Sequence, residues 1–118
     1  MQTQEQKRAE YAWECVLGQN RDYRNLVKSA PAMVMTNGLM QTLAFLKGKG
    51  KEHHIALLKH VSKWLVEKNM VKNSKFSQIM DDLSSLDSIS YQRATEETLA
   101  MLRWLRHLAD AAQSSETE

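Results

Sequence analysis

Residues 23–46 read YRNLVKSAPAMVMTNGLMQTLAFL, and no charged side chain occurs from Ser29 to Leu46. Tyr23, Leu26, Val27 and Ala30 recur at three- and four-residue spacing, which predicts one apolar face of a helix. Pro31 lacks the backbone N–H that a helix interior needs, so a break or kink is expected at Ser29-Ala30. Pro31 fits equally well as the first residue of a new turn. Met33, Val34 and Met35 continue the apolar pattern, and Asn37-Gly38 closes that piece. Leu39, Met40, Leu43 and Leu46 then form a further helical face, ended by Gly48 and Gly50. Eighteen uncharged residues could span a bilayer by length. Pro31, Thr36, Asn37, Gly38, Gln41 and Thr42 argue against insertion. The stretch is therefore expected to be the buried centre of a helical fold, with no membrane contact.

The flanks extend the helical pattern. Thr3 with Gln6 three residues on reads as a capping box. Ala9, Ala12, Trp13, Val16 and Leu17 are expected to form the buried stripe of the first helix, stopped by Gly18. Asn20 or Asp22 can cap the second. Glu52 to Lys68 forms another helix, with Ile55, Leu58, Val61, Trp64 and Leu65 inward. Its expected outer face carries Glu52, Lys59, His60, Lys63 and Glu67. Residues 69–75 form a loop. Phe76, Ile79, Met80 and Leu83 mark the next helix, capped by Asn73 or Ser74. A Ser/Asp-rich joint at 86–90 precedes a last helix from about Ile89 to Ala112. Its inner stripe is Ala94, Thr98, Met101, Leu105, Leu108 and Ala112, flanked by Leu99, Leu102 and Ala109. Its wet face is expected at Arg93, Glu96, Glu97, Arg103, His107 and Asp110. Residues 113–118 are polar and expected to fray. With four Gly and one Pro in 118 residues, few turns can need special backbone angles. The fold class is all-α: a single compact bundle of six or seven helices, one domain over 1–118.

That length excludes a Rossmann pair, a TIM barrel or a kinase. Cys15 is the single cysteine and cannot form an internal disulfide. The chain opens on a polar run, Gln2 to Gln6, without a basic-then-apolar leader, so a cytoplasmic protein is expected. No nucleotide-binding, zinc-protease or nucleophile-elbow motif is visible, and no enzyme is expected. His53 and His54 are adjacent and point about 100° apart on a helix, which disfavours joint chelation. His60 shares a face with His53, but no third ligand is evident. All three are expected as surface histidines, and no metal or cofactor is expected. Cys15 reads as a small hydrophobe rather than a partner for His107. Asp81-Asp82 reads as a solvated pair. Met33, Met40, Met80, Met101, Trp13 and Trp64 read as core, and Trp104 as a candidate partner contact at its helix's shoulder.

The net charge of +2 hides an asymmetry. Residues 1–20 carry −1, residues 21–75 carry +8 and residues 76–118 carry −5. Arg21, Arg24, Lys28, Lys47, Lys49, Lys51, Lys59, Lys63 and Lys68 lie in the basic block. Lysine is a mobile point charge suited to sequence-independent phosphate contact; the alternative is an ordinary solvated face. Such a division suits an anionic partner or self-association between unlike faces.

Two stretches carry a family resemblance. Residues 23–46, through Ser29, Pro31, Asn37-Gly38-Leu39 and Gln41-Thr42-Leu43-Ala44-Phe45-Leu46, resemble the hallmark of the small helical subunit of type III-B CRISPR (Cmr) effector complexes. Residues 91–109 resemble its C-terminal helix through Tyr91, Thr95, Leu99, Leu102, Trp104 and Leu105. The likeness spans roughly residues 5–110. It implies a non-catalytic subunit whose copies stack as a filament beside the backbone RAMP subunits. Such subunits help line the channel where target RNA pairs with CRISPR RNA, and chemistry belongs to the backbone and large subunits. Pro31, Asn37, Gly38, Gln41 and Thr42 are the motif positions. Leu43, Phe45 and Leu46 are expected to pack its corner, while Gln41 and Thr42 satisfy backbone groups or meet a neighbour.

Overall fold

The computed structural model describes residues 1–115, apart from the Ser115 side chain, and contains six helices: α1 (Gln4–Val16), α2 (Arg21–Asn37), α3 (Leu39–Lys49), α4 (Glu52–Glu67), α5 (Phe76–Ser85) and α6 (Ser88–Ser115). Local chemistry accounts for most of the boundaries. Thr3 Oγ1 accepts from the Gln6 N–H at 3.1 Å while Gln6 Oε1 accepts from the Thr3 N–H at 2.7 Å, completing the expected capping box. Asn20, rather than Asp22, caps α2 by accepting from the Tyr23 N–H at 3.0 Å. The end of α4 is a Schellman motif: the Asn69 and Met70 N–H groups donate to Val66 O and Leu65 O, and Asn69 takes φ 60°. Lys75, not Asn73 or Ser74, occupies the N-cap position of α5; Asn73 Oδ1 instead accepts from the Lys75 N–H in the preceding turn. Residues 113–115, expected to fray, belong to α6, which continues to Ser115; residues 116–118 lie outside the described part.

Pro31 does not divide α2, which runs unbroken from Arg21 to Asn37. That leaves six helices among the described residues, the lower of the two expected numbers. The helix forgoes a bond from residue 31 to the Val27 carbonyl, and Tyr23, Leu26, Val27, Ala30 and Val34, buried on both sides of the proline, keep the helix continuous.

The real corner is Gly38. It ends α2 by donating its N–H to Val34 O at 2.8 Å, and it starts α3 by accepting at its carbonyl from Thr42 N and Thr42 Oγ1. Its φ 89° and ψ 164° lie where only glycine is unstrained. A glycine cap has no side chain for the first-turn donors of α3. Tyr91 of α6 supplies one, its hydroxyl accepting from the Met40 N–H at 3.1 Å. The two stretches that carry the family resemblance thus meet in one hydrogen bond.

One hydrophobic core draws on all six helices. The long α6 is its axis, packed most extensively by α1 and α2, while α3 and α2 flank α4. Leu39, Leu43, Leu46, Leu57, Leu65, Ile79, Leu83, Met101 and Leu105 are buried at its centre.

Three expectations about faces are corrected. The inner stripe of α1 is Arg8, Ala12, Cys15 and Val16, so Trp13 and Leu17 stand out at 38% and 51% exposure. Glu97 belongs to the inside of α6, at 8% exposure. There Arg8 grips its carboxylate with two hydrogen bonds, Nε to Oε2 at 2.7 Å and Nη2 to Oε1 at 2.8 Å, and Trp64 Nε1 donates at 2.9 Å. The network joins α1, α4 and α6. The Arg8 hydrogen bond holds the Glu97 carboxyl below the usual range, against the opposing effect of burial. Met33, Met40 and Met80 only line the core's margin, whereas Met101 is fully enclosed.

Candidate nucleic-acid interface

The basic residues fall into three groups. The densest lies where α3 turns into α4. Lys47 and Lys49 end α3, where cations favour the helix's negative pole. Gly50 caps α3 in the left-handed region at φ 69°, and Lys51 is the N-cap of α4. Lys47, Lys49 and Lys51 are all exposed. From Gly50 a shallow groove of about 440 Å³ follows the outer side of α4, lined by Glu52, Ile55, Ala56, Lys59, His60 and Lys63. Lys59 and Lys63, one turn apart, rise from it.

The second group is the α2 stripe of Arg21, Arg24 and Lys28. Here Lys28 Nζ sits 3.7 Å from Asp110 Oδ1 of α6, an exposed pair. Lys68 stands apart from both. It donates to Gln4 Oε1 at 2.6 Å, lies 5.9 Å from the Trp64 ring centroid, and borders a different groove together with Glu10, Glu14 and Glu67. Of the nine basic candidates, five therefore share the α3–α4 corner and the α4 face.

The histidines differ from expectation. His60 is half-buried rather than outward. Its Nδ1 is hydrogen-bonded to Tyr23 Oη at 2.7 Å, and its carbonyl accepts from Tyr11 Oη at 2.6 Å. A phenol is the stronger donor, so Nδ1 accepts and Nε2 bears the proton. Burial, aided by Lys63, pushes His60 down to about 4, so it is neutral near pH 7. His54 is buried, and its Nδ1 has no hydrogen-bond partner among the described residues. The His53 and His54 rings lie 4.2 Å apart, closer than their positions on a helix suggest. Burial also raises the Cys15 thiol to about 11. Among the described residues no group of three or more His, Cys, Asp or Glu side chains is placed to hold a metal ion.

The motif positions divide by role. Thr42 is buried and bonds back to Gly38, which answers its place in an apolar stretch; Gln41 and Asn37 are exposed. Phe45 does not pack the corner. It is 40% exposed, with His54 edge-on at 5.8 Å and Lys49 Nζ 5.6 Å from its centroid. Asp82 is also more than a solvated acid: its carboxylate accepts from the Lys72 N–H and from Gln78 Nε2, both at 2.8 Å.

A six-helix bundle with a lysine-rich corner and a shared glycine cap is the class of protein defined so far. Residues 4–112 match the family CRISPR-associated protein (Cas_Cmr5). The chain belongs to that family. It is 30% identical over 107 residues to the CRISPR system Cmr subunit Cmr5 of Thermus thermophilus, covering 90% of this chain and 89% of the relative. It is also 30% identical over 95 residues to the Thermotoga maritima subunit of the same name, covering 80% and 70%. The crystal structure of a CRISPR-associated Cmr5 family protein from Thermus thermophilus superposes with a TM-score of 0.79 at 30% identity, over 95% of this chain and 98% of that one. None of the described helices is long and apolar enough to cross a membrane.

Proposed function

We propose that this chain is the non-catalytic small subunit of a type III-B Cmr effector complex, working in the cytoplasm beside backbone RAMP subunits, the large subunit and further copies of itself. The family match carries the assembly part of this reading. The α3–α4 corner carries the contact part: Lys47, Lys49, Lys51, Lys59 and Lys63 form a cationic strip with Glu52 as the one acid lining its groove. Phosphates of the CRISPR RNA–target RNA duplex are the partner such a strip suits, and lysines contact them without reading sequence. Lys59→Glu with Lys63→Glu is expected to weaken target-RNA binding by the assembled complex alike for every sequence and to flatten its salt dependence. Unchanged affinity and slope would remove this face as the contact.

A second reading is supported by Trp13 on α1 and Leu17 at its C-cap, both exposed, beside Glu10 and Glu14. Here the chain is purely a protein-docking module, and its unlike faces stack head to tail without touching RNA. Loss of copurification on the same lysine reversals, with RNA affinity per assembled complex intact, is what this reading expects.

A further inference from the structure

The α3–α4 corner holds an aromatic feature that phosphate contact leaves unused. Phe45 lies on the exposed side of α3, and Lys49, one turn later, brings Nζ to 5.6 Å from its ring centroid. His54 meets the Phe45 ring edge-on, and the His53 ring is tilted against His54. Three rings from two helices thus adjoin one another, with Lys47, Lys49 and Lys51 exposed at the same turn. A lone exposed phenylalanine is ordinary. A phenylalanine beside a lysine and edge-on to one of two adjoining histidine rings, at a corner with one acid between residues 47 and 53, is a more specific arrangement. His54 Nδ1 adds a buried polar atom that no group among the described residues satisfies.

Charge decides the occupant. The corner is cationic, so a neutral apolar helix gains nothing from three lysines, whereas a nucleotide offers a flat π face beside a phosphate. We infer that Phe45, with His53 and His54 behind it, is a stacking platform for an unpaired nucleobase, while Lys47, Lys49 and Lys51 hold the adjacent phosphates. A paired base in an intact duplex keeps its faces covered by its neighbours, so the platform selects a single strand or a flipped-out base. This rests on the nucleic-acid reading of the same corner and adds a contact to a base.

The test compares the full chain with Phe45→Leu, which keeps apolar bulk but removes the ring, and Phe45→Tyr, which keeps it. The probes are a single-stranded oligouridylate and an RNA duplex of equal length, with thermal melting as a check on folding. Phe45→Leu is expected to lower single-strand affinity roughly ten-fold, leaving duplex affinity and the salt slope unchanged, and Phe45→Tyr is expected to bind as the parent does. Replacing uridine by 5-iodouridine is expected to yield an ultraviolet cross-link at Phe45. Equal binding by Phe45→Leu and the parent, with weakened binding by Lys59→Glu/Lys63→Glu, overturns the platform and leaves the phosphate reading standing. Binding of neither probe by the parent chain overturns both. Competition by polyglutamate that depends on the Phe45 ring would assign the corner to an acidic protein and overturn the platform.

Discussion

Glu97 ties α1, α4 and α6 together inside the molecule. Its carboxylate answers the guanidinium of Arg8 and the indole N–H of Trp64 at once. Removing it strands three donors on two side chains, and a partner taken from a buried pair typically costs about 3–5 kcal/mol. Arg8 retains 25% side-chain exposure, so the low end applies: Glu97→Ala is expected to lose about 3 kcal/mol, read as a drop in the urea midpoint, while Glu97→Gln, which still accepts, loses less. The spacing already marks the site. Glu97 lies three residues after Ala94 and four before Met101, and Arg8 lies four before Ala12. Each charge therefore falls on an apolar stripe. Charge alone assigned Glu97 to water, and no local pattern announces a partner 89 positions away.

Helices show where periodicity suffices and where it fails. For α2, α3, α4 and α6 most buried positions follow from spacing. In α1, 13 residues long, the stripes containing Ala9-Trp13 and Arg8-Ala12-Cys15 differ by one position. The expected stripe shares Ala12 and Val16 with the observed one and departs from it at Trp13 and Leu17. Proline chemistry likewise pointed to a break at Pro31, yet packing on both sides keeps α2 whole. Pro31→Ala restores a donor for the Val27 carbonyl and relieves the ring's crowding. It is expected to raise stability by on the order of 1 kcal/mol, seen in the thermal midpoint, with unchanged helical circular dichroism. A decrease would mean that the proline sets a bend the bundle requires. The basic corner was legible as a run of lysines. Phe45 was not legible as part of it, because a phenylalanine beside leucines reads as core and only the tertiary packing leaves its ring open.

At the scale of the molecule, charge and topology divide the labour. The α3–α4 corner and the outer face of α4 hold five of the nine basic candidates, α1 shows an acidic and apolar side, and α6 joins the two through its contacts with α1 and α4. The joints between helices differ sharply. A single residue, Gly38, serves as the end of α2 and the start of α3, whereas residues 68–75 separate α4 from α5 and Asn73 and Ser74 are exposed. For protein engineering this is a map of permitted and forbidden splice points. A short Gly/Ser reporter loop inserted between Asn73 and Ser74 is expected to leave the thermal midpoint within a few degrees. The same insert after Gly38 would separate two helix caps that share one residue, and soluble, folded protein should be lost.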